Sequence, residues 1–370
     1  MDTDELSRNL ANHLAYLQLM TSLEPGEGNI TNPTVKDGLN SAVEFYETTN
    51  EEGLLSKAPE LIKSFQPLIE RFKSIVPLRV SMDQVATDFN SLCASNKEVY
   101  SYGIEYGWLH ERMDCSRMGL PNDLPWHTRI GIGHHAGRLS IEELFLLRDA
   151  FFMLASAEET FADMNEAANK IKESDAKLGL NELYLANSNV AAYSRLCVIS
   201  FFSFIEAFVN SVGHNFYLQN PNVLSSGEIE ILQGKKKGRL VSVEYKIEKY
   251  PSIIRSDKKS PLVLSDDTQI KEPFKSFNQQ IKLIRDASVH FAPPKEAIWR
   301  KPLDWLENAR SASKLCTEVA KEFWKACYPD RTQPKYLEDL EYNQLLESAK
   351  NRLKAKNEIF LFLRENNEAQ

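Results

Sequence analysis

Arg285 and His290 are separated by four residues, and a carboxylate, Asp286, directly follows the arginine. These residue types suit one chemistry at a phosphate. Histidine gives or takes a proton near neutral pH. The planar guanidinium fork matches phosphate oxygens and opposes the charge of a phosphorane. Cleavage of a phosphodiester by its neighbouring 2′-hydroxyl needs a base for the hydroxyl proton, an acid for the leaving 5′-oxygen, and a cation, with no metal required. On a helix, Asp286 and His290 share a face, so the carboxylate is expected to orient the imidazole or hold its proton. His290 falls just before Pro293 and Pro294, which end the helix, and the negative end of the helix dipole there favours the protonated ring. The expected catalytic residues are Arg285 and His290, with Asp286 assisting.

Spacing alone does not select this pair. Arg129 and His134 are equally spaced within RIGIGHH, but Ile130 follows the arginine and Gly131 and Gly133 intervene. No amphipathic helix holds that spacing, and the copy reads as coincidence. Around Arg285, by contrast, Phe274, Phe277, Ile281 and Ile284 recur at helical intervals and give the segment an apolar face.

Two further groups of residues accompany the pair. Glu206, Asn210 and His214 lie at steps of four in a very apolar stretch, with Arg195 and Ile199 extending the same face. A glutamate there needs a partner. Either Glu206 and Asn210 stand beside Arg285 and orient it, or they form a structural pair between helices. The second group is a basic stretch over residues 234–259, where nine basic side chains face three acidic ones in a chain of net charge −8. Lys235, Lys236, Lys237, Arg239, Lys246 and Lys249 are the candidate RNA contacts. Tyr245 and Tyr250 interleave with them and could stack bases. The alternative is a solvated surface loop.

Other patterns carry less. Gly131, Gly133 and Gly137 give GxGxxxG with no preceding strand pattern, which argues against a dinucleotide site. His110, Cys115, His127, His134 and His135 lack HExxH or paired-cysteine spacing, so no metal is expected. No cofactor is expected.

The elements that must position these residues read as helices, and the fold class is all-α. Leu6, Leu10, Leu14 and Leu17 recur at helical spacing, as do Leu61, Phe65, Leu68 and Phe72, with Pro67 expected to kink or divide the second helix. Ser140 and Glu143 form a capping-box pattern ahead of a long helix ending near residue 174. The most hydrophobic helix is expected over residues 188–217, shorter ones over 242–255 and 272–291, another beyond Pro302, and a charged amphipathic helix after Pro334. Residues 1–128 are expected to form a helical region of their own, 139–330 a bundle of about five helices, and 331–370 an amphipathic tail.

A chain with pI near 5.6 does not coat nucleic acid indiscriminately, so any such contact needs a local basic patch. Five scattered cysteines suit reduced, cytoplasmic thiols. The acidic start MDTDELSRNL is not a signal peptide, and the apolar run LCVISFFSFI stops at Glu206, too short to span a membrane.

Three segments in order resemble the HEPN family of helical ribonuclease domains. YSRLCVISFFSFIEAFVN is similar to that family's long helix with its glutamate and asparagine. VEYKIEKYPSII is similar to its short helix with a lysine and a following proline, and IRDASVHF to its R-x4-H motif with a polar residue after the arginine. The likeness covers residues 190–292. It implies a metal-independent endoribonuclease working as a homodimer, with two facing motifs forming one cleft and leaving 2′,3′-cyclic phosphate and 5′-hydroxyl ends. It also implies a toxin or defence effector, with an antitoxin or other defence-system protein as partner. Where one subgroup has a tyrosine two residues past the histidine, this chain has Ala292. The rival expectation is a non-catalytic helical module for dimerisation and for RNA or protein binding.

Overall fold

The computed structural model describes residues 2–23, 33–121, 123–136, 138–173, 176–266, 268–289, 300–335 and 341–368. His290, Ala292 and the Pro293–Pro294 stop lie outside the described residues. The chain is predominantly helical and divides into two compact units, Met1–Ile141 and Glu142–Gln370.

In the first unit, helix α1 (Thr3–Leu23) packs against α2 (Pro33–Thr48), α3 (Glu51–Ile75) and α4 (Met82–Ser95). Leu10, Leu14, Leu17 and Tyr16 of α1 are buried, as their spacing requires. Pro67 does not divide α3, which runs unbroken through Pro59 and Pro67. Proline removes the hydrogen bond to the carbonyl four residues back. Here that carbonyl belongs to Lys63, and both residues are exposed, so water can take its place. Two short helices follow, α5 (Val99–Tyr102) and α6 (Tyr106–Arg112). A small antiparallel sheet of β1 (Ile104–Glu105), β2 (Arg129–Ile130) and β3 (Leu139–Ser140), in that order, closes the unit. Its two-residue strands were not legible as a periodic pattern.

The second unit is built on two long helices packed along each other, α7 (Glu142–Glu173) and α8 (Ala176–Gln219). α9 (Ser226–Leu232), the hairpin β4 (Lys235–Lys236) and β5 (Arg239–Leu240), and α10 (Val243–Ile254) come next. Ser242 caps α10 by accepting from the Tyr245 amide. A composite helix then runs through α11 (Phe274–Ser276), a π-helical turn (Phe277–Lys282) and α12 (Leu283–Val289). α13 (Pro302–Cys327) and α14 (Tyr342–Glu368) complete the unit.

Its core joins Phe151 and Leu154 of α7, Phe201, Phe204, Ile205 and Phe208 of α8, and Val319, Ala320 and Phe323 of α13. Phe151 meets Phe201 edge-on at 5.1 Å, and Phe208 meets Phe323 likewise at 6.3 Å. Leu346, Ala349 and Leu353 of α14, the amphipathic helix expected after Pro334, enter the same core. Residues 180–219 are long and apolar enough to cross a membrane by length and composition, and most of that stretch is buried within the bundle. Glu143 is buried at the start of α7 and accepts from Ser211 Oγ of α8 at 2.9 Å. All five cysteines are free, four of them buried. Burial pushes the Cys197, Cys316 and Cys327 thiols up, which keeps them protonated and unreactive.

Candidate functional site

The helix that presents Arg285 buries Phe274, Phe277, Ile281, Ile284 and Ala287, the apolar face its spacing indicates. It is not a regular α-helix. The turn Phe277–Lys282 is π-helical and admits one extra residue before Arg285 is reached. Hydrophobic spacing does not register such an insertion, because the core contacts continue on either side of it.

Arg285 is anchored from two directions. Its Cζ lies 3.8 Å from the centre of the Phe202 ring of α8, and Phe202 is itself stacked parallel to Phe277. One terminal nitrogen, Nη1, pairs with Asp286 Oδ1 at 3.2 Å, while Nε is buried without a hydrogen-bond partner among the described residues. The Arg285 side chain keeps 21% of its surface in solvent. The guanidinium is therefore fixed against an aromatic floor, and part of the Arg285 side chain reaches solvent.

The expected contact of Asp286 with His290 lies outside the described residues, and the described partners of Asp286 are Arg285 and Lys282. Asp286 Oδ2 accepts from Lys282 Nζ at 2.9 Å, one turn back, and Lys282 also stands 3.3 Å from Glu244 of α10. Lys282 is four residues before Asp286 and His290 four residues after it. Both positions reach the same carboxylate, and among the described residues the lysine occupies it. The hydrogen bond that Lys282 donates to Asp286, then the charge of Glu244, hold the Lys282 pKa above its ordinary value against the lowering effect of burial. The result is an alternating chain of charges, Arg285, Asp286, Lys282 and Glu244, tying the motif helix to α10.

The residues expected to support Arg285 serve a different partner. Asn210 Oδ1 accepts from Lys246 Nζ of α10 at 2.9 Å, and the Glu206 charge acts on the same ammonium. Phe202, Glu206 and Asn210 share a face, but eight residues of helix advance about 12 Å. Arg285 meets the start of that stripe and Lys246 its end. The structural alternative, a polar pair between helices, describes Asn210. Gly234 makes room for it: a Cβ there would lie 3.1 Å from Lys246 Cε.

Lys246 is correspondingly removed from the candidate RNA contacts. Only 5% of its surface is exposed, and burial lowers its pKa against the opposing pull of Glu206. Tyr250 is removed as well, being wholly buried with its hydroxyl donating to the Leu232 carbonyl. An apolar helix face selects α10 residues at positions 243, 246, 247, 250 and 254, and Lys246 and Tyr250 fall on it. Of the other candidates, Lys249 is half-buried and the remaining four are exposed. Lys235, Lys236, Lys237 and Arg239 form a β-ribbon whose turn places Lys237 and Gly238 at φ 50° and 75°. This is the two-residue hairpin turn that suits strand twist. Lys236 and Lys249 both lie over the Tyr245 ring, at 4.9 and 5.9 Å from its centre. Lys249 also pairs with Glu248 at 2.9 Å.

The second copy of the motif belongs to the first unit. Arg129 is on β2, paired with Glu105 of the neighbouring strand at 3.3 Å. The His134 side chain lies outside the described residues. His110 packs between Tyr106 and Trp126, and Cys115 is buried, so both are engaged in packing within the first unit. Among the described residues no three histidine, cysteine or acidic side chains gather as a metal site.

No protein-family model, curated protein or solved structure matches the chain. The functional reading therefore rests on the residues themselves. Phe202, Lys282 and Glu244 were missed as members of the site. The Lys282–Asp286 spacing was a legible signal for one of them, whereas the Phe202 contact joins distant segments and left none.

Proposed function

We propose that the second unit is a metal-independent endoribonuclease module of the HEPN type. The observation that carries this reading is the fixed Arg285 guanidinium, held on Phe202 and paired with Asp286, four residues ahead of His290 in sequence. In the proposed reaction the 2′-oxygen of the substrate attacks its own phosphorus, and the bond from phosphorus to the 5′-oxygen breaks. The 2′-hydroxyl proton leaves to a base and a proton reaches the 5′-oxygen, giving a 2′,3′-cyclic phosphate and a 5′-hydroxyl with no change of oxidation state. His290 is assigned the proton transfers and Arg285 the phosphorane charge. Asp286 acts through Arg285 and is a positioning residue. Two copies of the chain in a homodimer would supply the acid and the base from two His290 side chains. The exposed ribbon Lys235, Lys236, Lys237 and Arg239 is assigned to the RNA backbone. A cytoplasmic toxin or defence effector, with an antitoxin or defence-system partner, is the setting this reading implies.

One observation favours a second reading, a non-catalytic helical module. An arginine stacked on a buried ring and paired with a neighbouring carboxylate also serves as a structural tie between helices. Incubating purified protein with RNA in EDTA separates the two. The enzyme reading expects cutting that is lost in Arg285→Ala and in His290→Ala, both still folded by circular dichroism. Absence of cutting by wild type, or equal cutting by the variants, leaves the second reading.

A further inference from the structure

Lys235, Lys236, Lys237 and Arg239 of the β4–β5 hairpin are exposed, and among the described residues none of them forms an ion pair. The carboxylates of the two flanking helices are engaged elsewhere. On α9, Glu228 closes the capping box with Ser225 and stands 3.7 Å from Lys258, while Glu230 accepts from the Gly238 amide at the hairpin turn. On α10, Glu244 pairs with Lys282 at 3.3 Å. Glu248 accepts from the Leu264 and Ser265 amides and matches the charge of Lys249. In a chain of net charge −8, the hairpin is a local reversal of sign.

The backbone beneath these charges is fixed. The Val241 amide donates to the Gly234 carbonyl at 3.0 Å at the base, and Glu230 holds the turn. At the tip, Lys237 has φ 50°, in the left-handed region that side chains other than glycine, asparagine and aspartate rarely adopt. A lysine held in that conformation with no ion-pair partner among the described residues is a strained residue whose charge faces solvent.

The hairpin offers no ring for base stacking. Its one apolar side chain, Leu240, is aliphatic. Tyr245 beside it is half-buried with the ammonium groups of Lys236 and Lys249 over its ring, and Tyr250 is buried. Unpaired strands are held largely by stacking of their bases on exposed aromatic rings. Paired RNA keeps its bases stacked on each other and is held through the phosphates and 2′-hydroxyls of a regular A-form helix. Fixed cations without a ring suit the second ligand.

We propose that the hairpin binds the phosphate backbone of paired RNA in preference to an unpaired strand. The preference for a paired backbone follows from the hairpin alone; that the duplex is RNA and not DNA rests on the ribonuclease reading. Glu244 and Tyr245 are consecutive on α10, the first contacting Lys282 of the motif helix and the second Lys236 of the hairpin. Hairpin and motif helix therefore dock on adjoining sides of one helical turn, and a stem held by the hairpin lies beside the Arg285 cluster. Attack by a 2′-oxygen requires that oxygen, the phosphorus and the 5′-oxygen to come into line, which a regular helix prevents. The substrate class is then RNA cut at an unpaired nucleotide next to a stem.

The test is fluorescence anisotropy of the full-length chain with a short 2′-fluoro RNA, single-stranded and annealed, and with the matching duplex DNA, over a range of salt. The 2′-fluoro group keeps the A-form and removes the attacking hydroxyl, so cleavage does not enter. The RNA duplex is expected to bind about tenfold more tightly than the single strand. Replacing Lys235, Lys237 and Arg239 together by Gln should erase that preference and flatten the duplex salt dependence by about 0.9 log unit per lost phosphate contact. Lys237→Asn should flatten it by one contact while melting no lower than wild type, because asparagine takes the left-handed conformation more readily. Equal or tighter binding of the single strand overturns the inference, and so does a Lys237→Asn variant that melts lower and binds unchanged. Failure of every probe to bind saturably also overturns it and leaves the surface to an acidic protein. Duplex DNA bound as tightly as duplex RNA overturns the assignment to RNA and leaves the preference for a paired backbone. A protein that holds duplex RNA in this way yet cuts no RNA would refute the ribonuclease reading and keep this one.

Discussion

The pairing of Lys246 with Asn210 makes opposite forecasts for two neighbouring substitutions. Asn210→Ala removes the acceptor of a 2.9 Å bond from the ammonium of Lys246, a residue that is 5% exposed. A hydrogen bond to a charged group contributes about 1.5–3 kcal/mol, and Glu206 remains as partial compensation, so a loss of about 2 kcal/mol is expected. For a unit of this size that lowers the thermal midpoint by roughly 4–8 °C. Lys246→Met removes the charge and keeps an apolar stem of similar length. The desolvation cost goes with the bond, so the change should stay within about 1 kcal/mol. The double variant should recover most of the Asn210→Ala loss, a coupling of about 1.5 kcal/mol in the cycle. Burial lowers the Lys246 pKa, so between that lowered value and the ordinary lysine value of about 10.4 the unfolded chain binds more protons than the folded one. Stability from this residue therefore rises with pH across that window and is lowest beneath it. Urea unfolding followed by circular dichroism, at neutral and at alkaline pH, reads both effects. The reasoning is refuted if Lys246→Met costs as much as Asn210→Ala, or if the difference between wild type and Lys246→Met does not change with pH.

Three shorter forecasts follow. Burial raises the Glu248 pKa, but hydrogen bonds from Lys249 and from the Leu264 and Ser265 amides outweigh it and hold the carboxyl at about 2. Its contribution is present above the unfolded carboxylate value and lost as pH falls toward 2. Glu248→Gln should therefore cost on the order of 1–2 kcal/mol near neutrality after allowance for solvent screening, and nothing in strong acid, as read by chemical denaturation across pH. A Cβ at Gly213 would lie 2.4 Å from Tyr250 Cε2, on a ring fully buried and held by its hydroxyl. The expected strain of about 1–3 kcal/mol exceeds the helix-propensity gain of about 1 kcal/mol, so Gly213→Ala should melt lower, and a stabilised variant would contradict the packing described. Replacing Lys235, Lys237 and Arg239 together by Glu should weaken binding to single-stranded RNA and flatten its salt dependence by about 0.7 log unit per lost phosphate contact. Lys246→Met should leave that slope unchanged, and an equal effect of both would remove the ribbon from the interface.

Elements marked by periodicity and capping were legible in the sequence, and elements set by contacts between distant segments were not. Ser242 and the apolar spacing after it locate α10 to within a residue, and the proline at 302 marks the start of α13. The same spacing also marks Lys246 and Tyr250 as inward-facing, but their residue types, basic and aromatic, made them look like nucleic-acid contacts. Position on the helix outweighs type here, because a lysine stem and a tyrosine ring both bury well when their polar ends find partners. Arg285 and Asp286 were legible as a pair. What holds them, Phe202 across the bundle and Lys282 beyond a π-helical turn, depends on tertiary packing and on a backbone insertion that hydrophobic spacing cannot register. The two-residue strands of the first unit likewise carry too few residues to show alternation.

The central claim is that Arg285 and His290 together cut RNA without a metal. Analysis of RNA ends after incubation with purified protein in EDTA tests it most directly. The expected result is 2′,3′-cyclic phosphate and 5′-hydroxyl ends with wild type, and none with Arg285→Ala or His290→Ala. Ends carrying a 5′-phosphate, or cyclic-phosphate ends that persist in either variant, would contradict it.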